Sequence, residues 1–267
     1  MKKLSVLAIA FLAITFAACG GKKTKTAANE ADSTVSFEQQ QIEAAIKVQF
    51  DSIAAELGKL PQLPFVQEGN GGLTLTKEEK QVKPDYLLNA SVADEATTLA
   101  EKYRALSVLS VDKKIAALYD LPVEDYDKAI SKLAADINDP SFKAIEDAGT
   151  LFETTSTLYN EMDKNGRINY FWQMASAALV EQLYITNQNS DKFLSIFNDE
   201  AADKVSYRIV LVLDAINRLS AYDPEVKSIA TALAPLEVLN ATSVSELKEQ
   251  LGTAKDQINA ARQALIK

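Results

Sequence analysis

The sequence predicts an all-α protein, built as a multi-helix bundle or as stacked helical hairpins. Three observations carry that prediction. From Ser36 to Lys267 apolar side chains recur at three- and four-residue intervals, the spacing that places them on one face of a helix. Cap signatures punctuate the pattern: Ser36-x-x-Gln39, Asp139-Pro140, Asp223-Pro224 and Ser243-x-x-Glu246 each offer a side-chain oxygen to the unpaired N–H groups of a helix start. Strict alternation, the mark of a half-buried strand, is confined to Leu73-Thr74-Leu75-Thr76.

The first helix is expected from Ser36, with Ile42, Ile46, Phe50, Ile53 and Leu57 as its stripe and with Gly58 and Pro61 stopping it. Residues 59–84 hold Pro61, Pro64, Pro84 and the run Gly69-Asn70-Gly71-Gly72. They are expected to form one long irregular loop, in which Leu73 to Thr76 is draped over the domain or folded as a small hairpin. Leu99, Tyr103, Leu106 and Leu109 make the next stripe; Ser110 and Asp112 read as its end, and Ile115, Leu118 and Tyr119 open another. Pro122 introduces Tyr126, Ile130, Leu133 and Ile137. Asp139-Pro140 starts a helix carrying Phe142, Ile145, Leu151, Phe152, Leu158 and Tyr159, closed by Asn165-Gly166. Ile168 to Ile185 follows with Trp172, Met174, Leu179 and Leu183, then a short segment from Phe193 to Phe197. Val205, Ile209, Val210, Leu211, Val212, Leu213, Ile216 and Leu219 are too many for one stripe, so this helix is expected at the centre of the core, surrounded by others. Pro235 ends or kinks the helix begun at Asp223-Pro224. A final helix runs from Ser243 through Leu251, Ile258, Ala261 and Leu265.

One internal similarity stands out. Ala129 to Ala135 followed by Asp139 to Ile145 resembles Ala215 to Ala221 followed by Asp223 to Ile229, each a helix, an Asp-Pro turn and a helix. Two stacked hairpins related by duplication would give this pattern. So would chance, since Ala, Leu and Lys are common in any helix.

The first residues follow the secretory pattern. Lys2 and Lys3 precede an apolar run from Leu4 to Phe16, and the small residues Ala17-Ala18 stand before Cys19. The run falls short of the roughly 20 residues that span a bilayer. Ala17-Ala18-Cys19 resembles the lipobox of bacterial lipoproteins, with Phe16 where an aliphatic residue is usual. That resemblance implies a signal peptide at 1–18, a thiol at Cys19 that receives a diacylglycerol, cleavage before it, and acylation of the new amino group. Several acyl chains on one cysteine form a durable membrane anchor, whereas a single chain at about 0.8 kcal/mol per methylene is marginal. Residues 19–35 have nothing to bury and read as a flexible tether, and 36–267 as the all-α domain. Some surface lipoproteins carry an acidic export signal just after the cysteine. Gly20-Gly-Lys-Lys-Thr-Lys25 stands there instead, so by resemblance the protein is expected on the outer membrane facing the periplasm, with surface exposure as the alternative.

Composition narrows the chemistry. Without residues 1–18 the chain keeps 26 basic against 37 acidic side chains, a net of −11, which argues against nucleic acid and against anionic lipid surfaces as partners. Cys19 is the only cysteine, so no intrachain disulfide forms and the fold rests on packing. There is no histidine, which removes the commonest general base and the commonest transition-metal ligand and the usual Glu-x-x-His di-iron bundle. No cofactor is expected.

Short motifs offer chemistry, and each has a plainer explanation. Glu161 to Asn169 places acids, glycine and isoleucine as in a calcium loop, but Trp172 stands where the closing carboxylate belongs; a helix end at Asn165-Gly166 explains it. Ser110-x-x-Lys113 and Ser245-x-x-Lys248 match the spacing of penicillin-recognising enzymes, yet their partner motifs Ser-Asp-Asn and Lys-Thr-Gly do not occur. Glu124-Asp125-Asp127 and Asp199-Glu200-Asp203 lie at helix starts, where acids complement the macrodipole. Tyr170, Phe171 and Trp172 are the candidate ligand-binding residues: three successive positions point three ways, so one ring is expected toward solvent or a partner while the others pack. The function class expected is a non-catalytic binding or scaffolding domain, held at a membrane by its lipid and meeting an envelope protein, a peptide or a small molecule. A metal-independent hydrolase using carboxylates is the alternative.

Overall fold

The computed structural model describes residues 37–57, 62–64, 72–144 and 151–266. The expected signal peptide, Cys19, the expected tether, Ser36, most of the glycine run and Ile145 lie outside the described residues. Ser36–Lys267 is one compact unit. Among the described residues there are thirteen α-helices and no strand, so the domain is all-α.

Helix α1 (Phe37–Leu57) turns Ile46 into the core and leaves Phe37 and Val48 outside. The expected loop at 59–84 is interrupted by α2 (Lys77–Gln81), a single turn that Thr76 and Glu79 clamp reciprocally: Thr76 Oγ1 accepts from the Glu79 N–H at 3.2 Å and Glu79 Oε2 accepts from the Thr76 N–H at 2.7 Å. Thr76-x-x-Glu79 is itself a capping box, and it overrides the breakers on either side. Leu73 to Thr76 forms no hairpin; Leu73 is draped into an apolar cluster with Val111, Ile115, Tyr119, Ile185 and Phe193.

After α3 (Val92–Glu95), α4 (Leu99–Leu118) runs unbroken through Ser110 and Asp112, where the sequence pattern suggested a boundary. Neither polar group stops the helix: Ser110 Oγ donates back to the Leu106 carbonyl at 2.7 Å, and Asp112 Oδ2 accepts from the Leu88 N–H at 2.9 Å. Helix α5 (Glu124–Ile137) packs antiparallel to α4, with Lys102 paired to Asp136 at one end and Lys113 to Asp127 at the other. Asn138 closes it in the left-handed region at φ 49°, one of the residues that adopts this conformation readily. Helix α6 (Pro140–Ala144) is short, and α7 (Leu151–Lys164) ends in a Schellman turn. There the Arg167 N–H reaches the Met162 carbonyl at 2.7 Å and the Gly166 N–H the Asp163 carbonyl at 3.0 Å, with Gly166 at φ 65°.

Helix α8 (Ile168–Gln188) is followed by α9 (Ser190–Phe193), α10 (Asp199–Leu219) and α11 (Pro224–Leu233), the last capped by Asp223 and leading into a 3-10 turn at Ala234–Val238. The expected last helix is two, α12 (Val244–Thr253) and α13 (Lys255–Ile266), parted at Ala254. The two Asp-Pro turns share a cap, with Asp139 and Asp223 each accepting an N–H two residues on. The helices they start differ in length, α6 with five residues and α11 with ten.

The central helix is α8, not α10. Helix α8 touches α4, α7, α9, α10, α11, α12 and α13, and Gln173, Ser176, Ala177, Glu181, Gln182 and Thr186 are buried along with its aromatic and aliphatic residues. Helix α10 packs one broad face into the core and leaves Tyr207 (45%) and Val210 (48%) exposed. Branched aliphatics made α10 look the more enclosed in sequence. Small and amide side chains let neighbouring helices close around α8 on every side.

Candidate functional site

The polar residues that the helical pattern places at core positions meet between α4 and α8. Tyr103 stacks on Tyr170 with centroids 4.8 Å apart, Arg104 Nη1 donates to Gln173 Oε1 at 2.7 Å, and Ser107 Oγ donates to the Met174 carbonyl at 3.0 Å. Farther along, Asp112 lies beside Glu181. Residue numbers rise together in these pairs, so the two helices run parallel and polar contacts recur along the seam.

At the far end of the seam Asp112 and Glu181 are both sealed from solvent, at 0% and 1% exposure. Arg262 from α13 closes on Glu181 with both forks, Nε to Oε2 at 2.6 Å and Nη2 to Oε1 at 2.7 Å, the bidentate geometry that suits a guanidinium. The same guanidinium lies 3.8 Å over the Tyr184 ring and donates from Nη2 to the Tyr86 carbonyl at 3.2 Å. Tyr126 Oη anchors the wall by donating to the Leu88 carbonyl at 2.7 Å. Burial, reinforced by the Glu181 charge, pushes the Asp112 carboxyl up to about 9. Burial also raises Glu181, with Arg262 opposing it. Asp112 Oδ1 and the Tyr86 hydroxyl are buried without a hydrogen-bond partner.

At the near end Tyr103 is a bridge. Its hydroxyl donates to Asp139 and accepts from Arg167 Nη1 at 2.9 Å, while Arg167 Nη1 lies 3.3 Å from Asp139 Oδ2. Burial alone would raise the Asp139 carboxyl; the Tyr103 hydroxyl, the Ser141 N–H at 2.8 Å and the Arg167 charge together hold it below its usual range. Arg104 Nε reaches the Leu265 carbonyl near the end of α13 at 2.8 Å. Burial lowers this guanidinium, with Glu101 and Glu225 opposing.

The three candidate aromatics all pack. Phe171 and Trp172 are buried and meet Tyr159 edge to face, with centroids 5.1 and 6.1 Å away. Tyr170 is half-buried on Tyr103. The calcium-like loop is the Schellman turn of α7, with Trp172 in the core at the closing position. Of the serine-lysine pairs, Lys113 is bound to Asp127 and Lys248 to Asp191. In the acid runs, Asp125 pairs with Lys128, Glu200 with Lys204, and Asp199 Oδ1 accepts from the Val244 N–H at 2.9 Å. No three His, Cys, Asp or Glu side chains among the described residues converge as a metal site, and no described helix is long and apolar enough to cross a membrane. The residues that sequence reasoning missed are Arg104, Asp112, Asp139, Glu181 and Arg262. Their signal was an ionisable residue standing inside an apolar stripe, as Glu181 does between Leu179-Val180 and Leu183. No family model, curated protein or solved structure matches the chain.

Proposed function

We propose that this chain is a lipoprotein of the cell envelope, anchored through Cys19, whose helical domain binds or scaffolds a partner without catalysing a reaction. The observation that carries the non-catalytic reading is the fate of the two carboxyls held above their usual range among the described residues. Asp112 and Glu181 are sealed in the seam, and a general acid has to reach its substrate. Shifted carboxyls of this kind serve a structural network. The acid runs at Glu124 and Asp199 begin helices, where solvated charge suits the dipole. Binding of an envelope protein, a peptide or a small molecule through helical surfaces needs neither metal nor cofactor. The absence of histidine and of any cysteine beyond Cys19 fits that work, and the lipobox resemblance supports the anchor.

Two measurements test the reading. Cells fed an alkyne-tagged fatty acid should label the wild-type chain and not Cys19→Ala, and the variant should leave the membrane fraction or keep its signal peptide. Membrane retention of a cleaved, unlabelled variant refutes the anchor. Hydrolysis of a peptide or glycan by the purified protein, abolished by one carboxylate substitution that leaves the fold intact, refutes the binding reading in favour of a hydrolase.

A further inference from the structure

The far end of the seam between α4, α8 and α13 contains two sealed carboxyls, Asp112 and Glu181, and the largely buried guanidinium of Arg262. The groups that face them are few. Helix α4 contributes Asp112, with Tyr119 at its C-cap, α8 contributes Glu181 and Tyr184, and α13 contributes Arg262; α5 adds Tyr126 and the segment before α3 adds the Leu88 N–H and Tyr86, which in turn has Asp85 near it. The only cation in this set is Arg262, and both of its forks are committed to Glu181. A second unpaired negative charge in such a place would be expensive to bury.

The hydrogen bonds say which carboxyl bears the burden. Asp112 Oδ2 has a donor in the Leu88 N–H, whereas Oδ1 is buried with none. A carboxylate oxygen left so is unfavourable. As a hydroxyl it becomes a donor instead, and the adjacent Glu181 oxygens, each taking one N–H from Arg262, keep lone pairs to receive it. We propose that Asp112 and Glu181 hold one proton between them at neutral pH, so that closing the α4–α8–α13 seam takes up a proton and opening it releases one. The proton is carried on Asp112 and donated toward Glu181, which stays ionised against Arg262. The fold thereby contains a pH-sensitive element, independent of what the domain binds.

The sign follows from linkage. Unfolded, Asp112 loses its proton near its ordinary value of about 4; folded, it keeps it up to about 9. Between these limits the folded state binds the extra proton, so its stability is greatest at the acid end and declines as pH rises. Infrared spectra of the full chain in detergent at neutral pH should show a protonated carboxyl stretch, shifted by carbon-13 carboxyl labelling of aspartate and missing in Asp112→Asn, which keeps the shape and the donor. Denaturant titrations should show the wild-type folding constant falling about tenfold per pH unit relative to Asp112→Asn between about pH 5 and pH 8. Absence of the band in the wild type overturns the proposal whether or not the variant folds. So does a wild-type slope equal to that of Asp112→Asn.

Discussion

Single side chains in this domain differ most in whether their loss leaves something behind. Trp172→Ala empties a site walled by Tyr159 and Phe171 and should cost about 3–5 kcal/mol by denaturant titration. Arg262→Ala removes a partner and leaves Glu181 charged in a dry seam, a loss of about 3–5 kcal/mol expected for breaking a buried pair. The two variants should part company with pH. Acidification that protonates Glu181 should recover part of the Arg262→Ala deficit and none of the Trp172→Ala deficit. The aromatic concentration at 170–172 stands out in the sequence, and Tyr170 is the one of the three that stacks on Tyr103 in the seam. The charged residues of the seam do not stand out, because helical periodicity counts an acid or an arginine as a mark of the outer face. In sequence Asp112 reads as the end of a helix for that reason. Only the Leu88 N–H and the Glu181 side chain across the seam give it a place inside.

Helix boundaries show what local chemistry can and cannot settle. Thr98 and Glu101 make a full capping box at the start of α4, and the donors of Thr98 and Thr97 hold the Glu101 carboxyl down to about 2. Because that value lies below the ordinary one, the stabilisation is present above about pH 4.5 and is lost as pH falls toward 2. Glu101→Gln should remove this acid-side component from a pH titration of stability, and Thr98→Ala should cost about 1 kcal/mol at any pH above it. At the other kind of boundary, the turn from α7 into α8 should take no calcium. Millimolar calcium is expected to leave the melting temperature unchanged, whereas a shift of several degrees, lost in Asp163→Ala, would mark a bound ion through mass action. The caps at Asp139, Asp223 and Ser243 were legible because they act within three residues. The break at Ala254 was not, since the backbone there still makes helical bonds on both sides, from the Ala254 N–H to Gln250 and from the Ile258 N–H to Ala254.

For the molecule as a whole, fold class was legible and the centre was not. Period and caps specify helices one at a time, while enclosure depends on which helices converge, and α8 gathers partners from α4 through α13. Helix α13 is the decisive one: Arg262 satisfies Glu181, and the Leu265 carbonyl satisfies Arg104. A chain truncated before Lys255 should therefore lose cooperative unfolding altogether, where a deletion confined to α2, which has no buried residue, should only lower the midpoint. The separation of these partners has a consequence in time. Arg262 follows Glu181 by 81 residues, about 4–16 s of synthesis at 5–20 residues per second. Until Arg262 is added, the acid of α8 is unmatched and one flank of that helix is uncovered. The nascent chain should therefore not lock before α13 is made, and a polypeptide still open at that stage is one that can be threaded through a narrow pore.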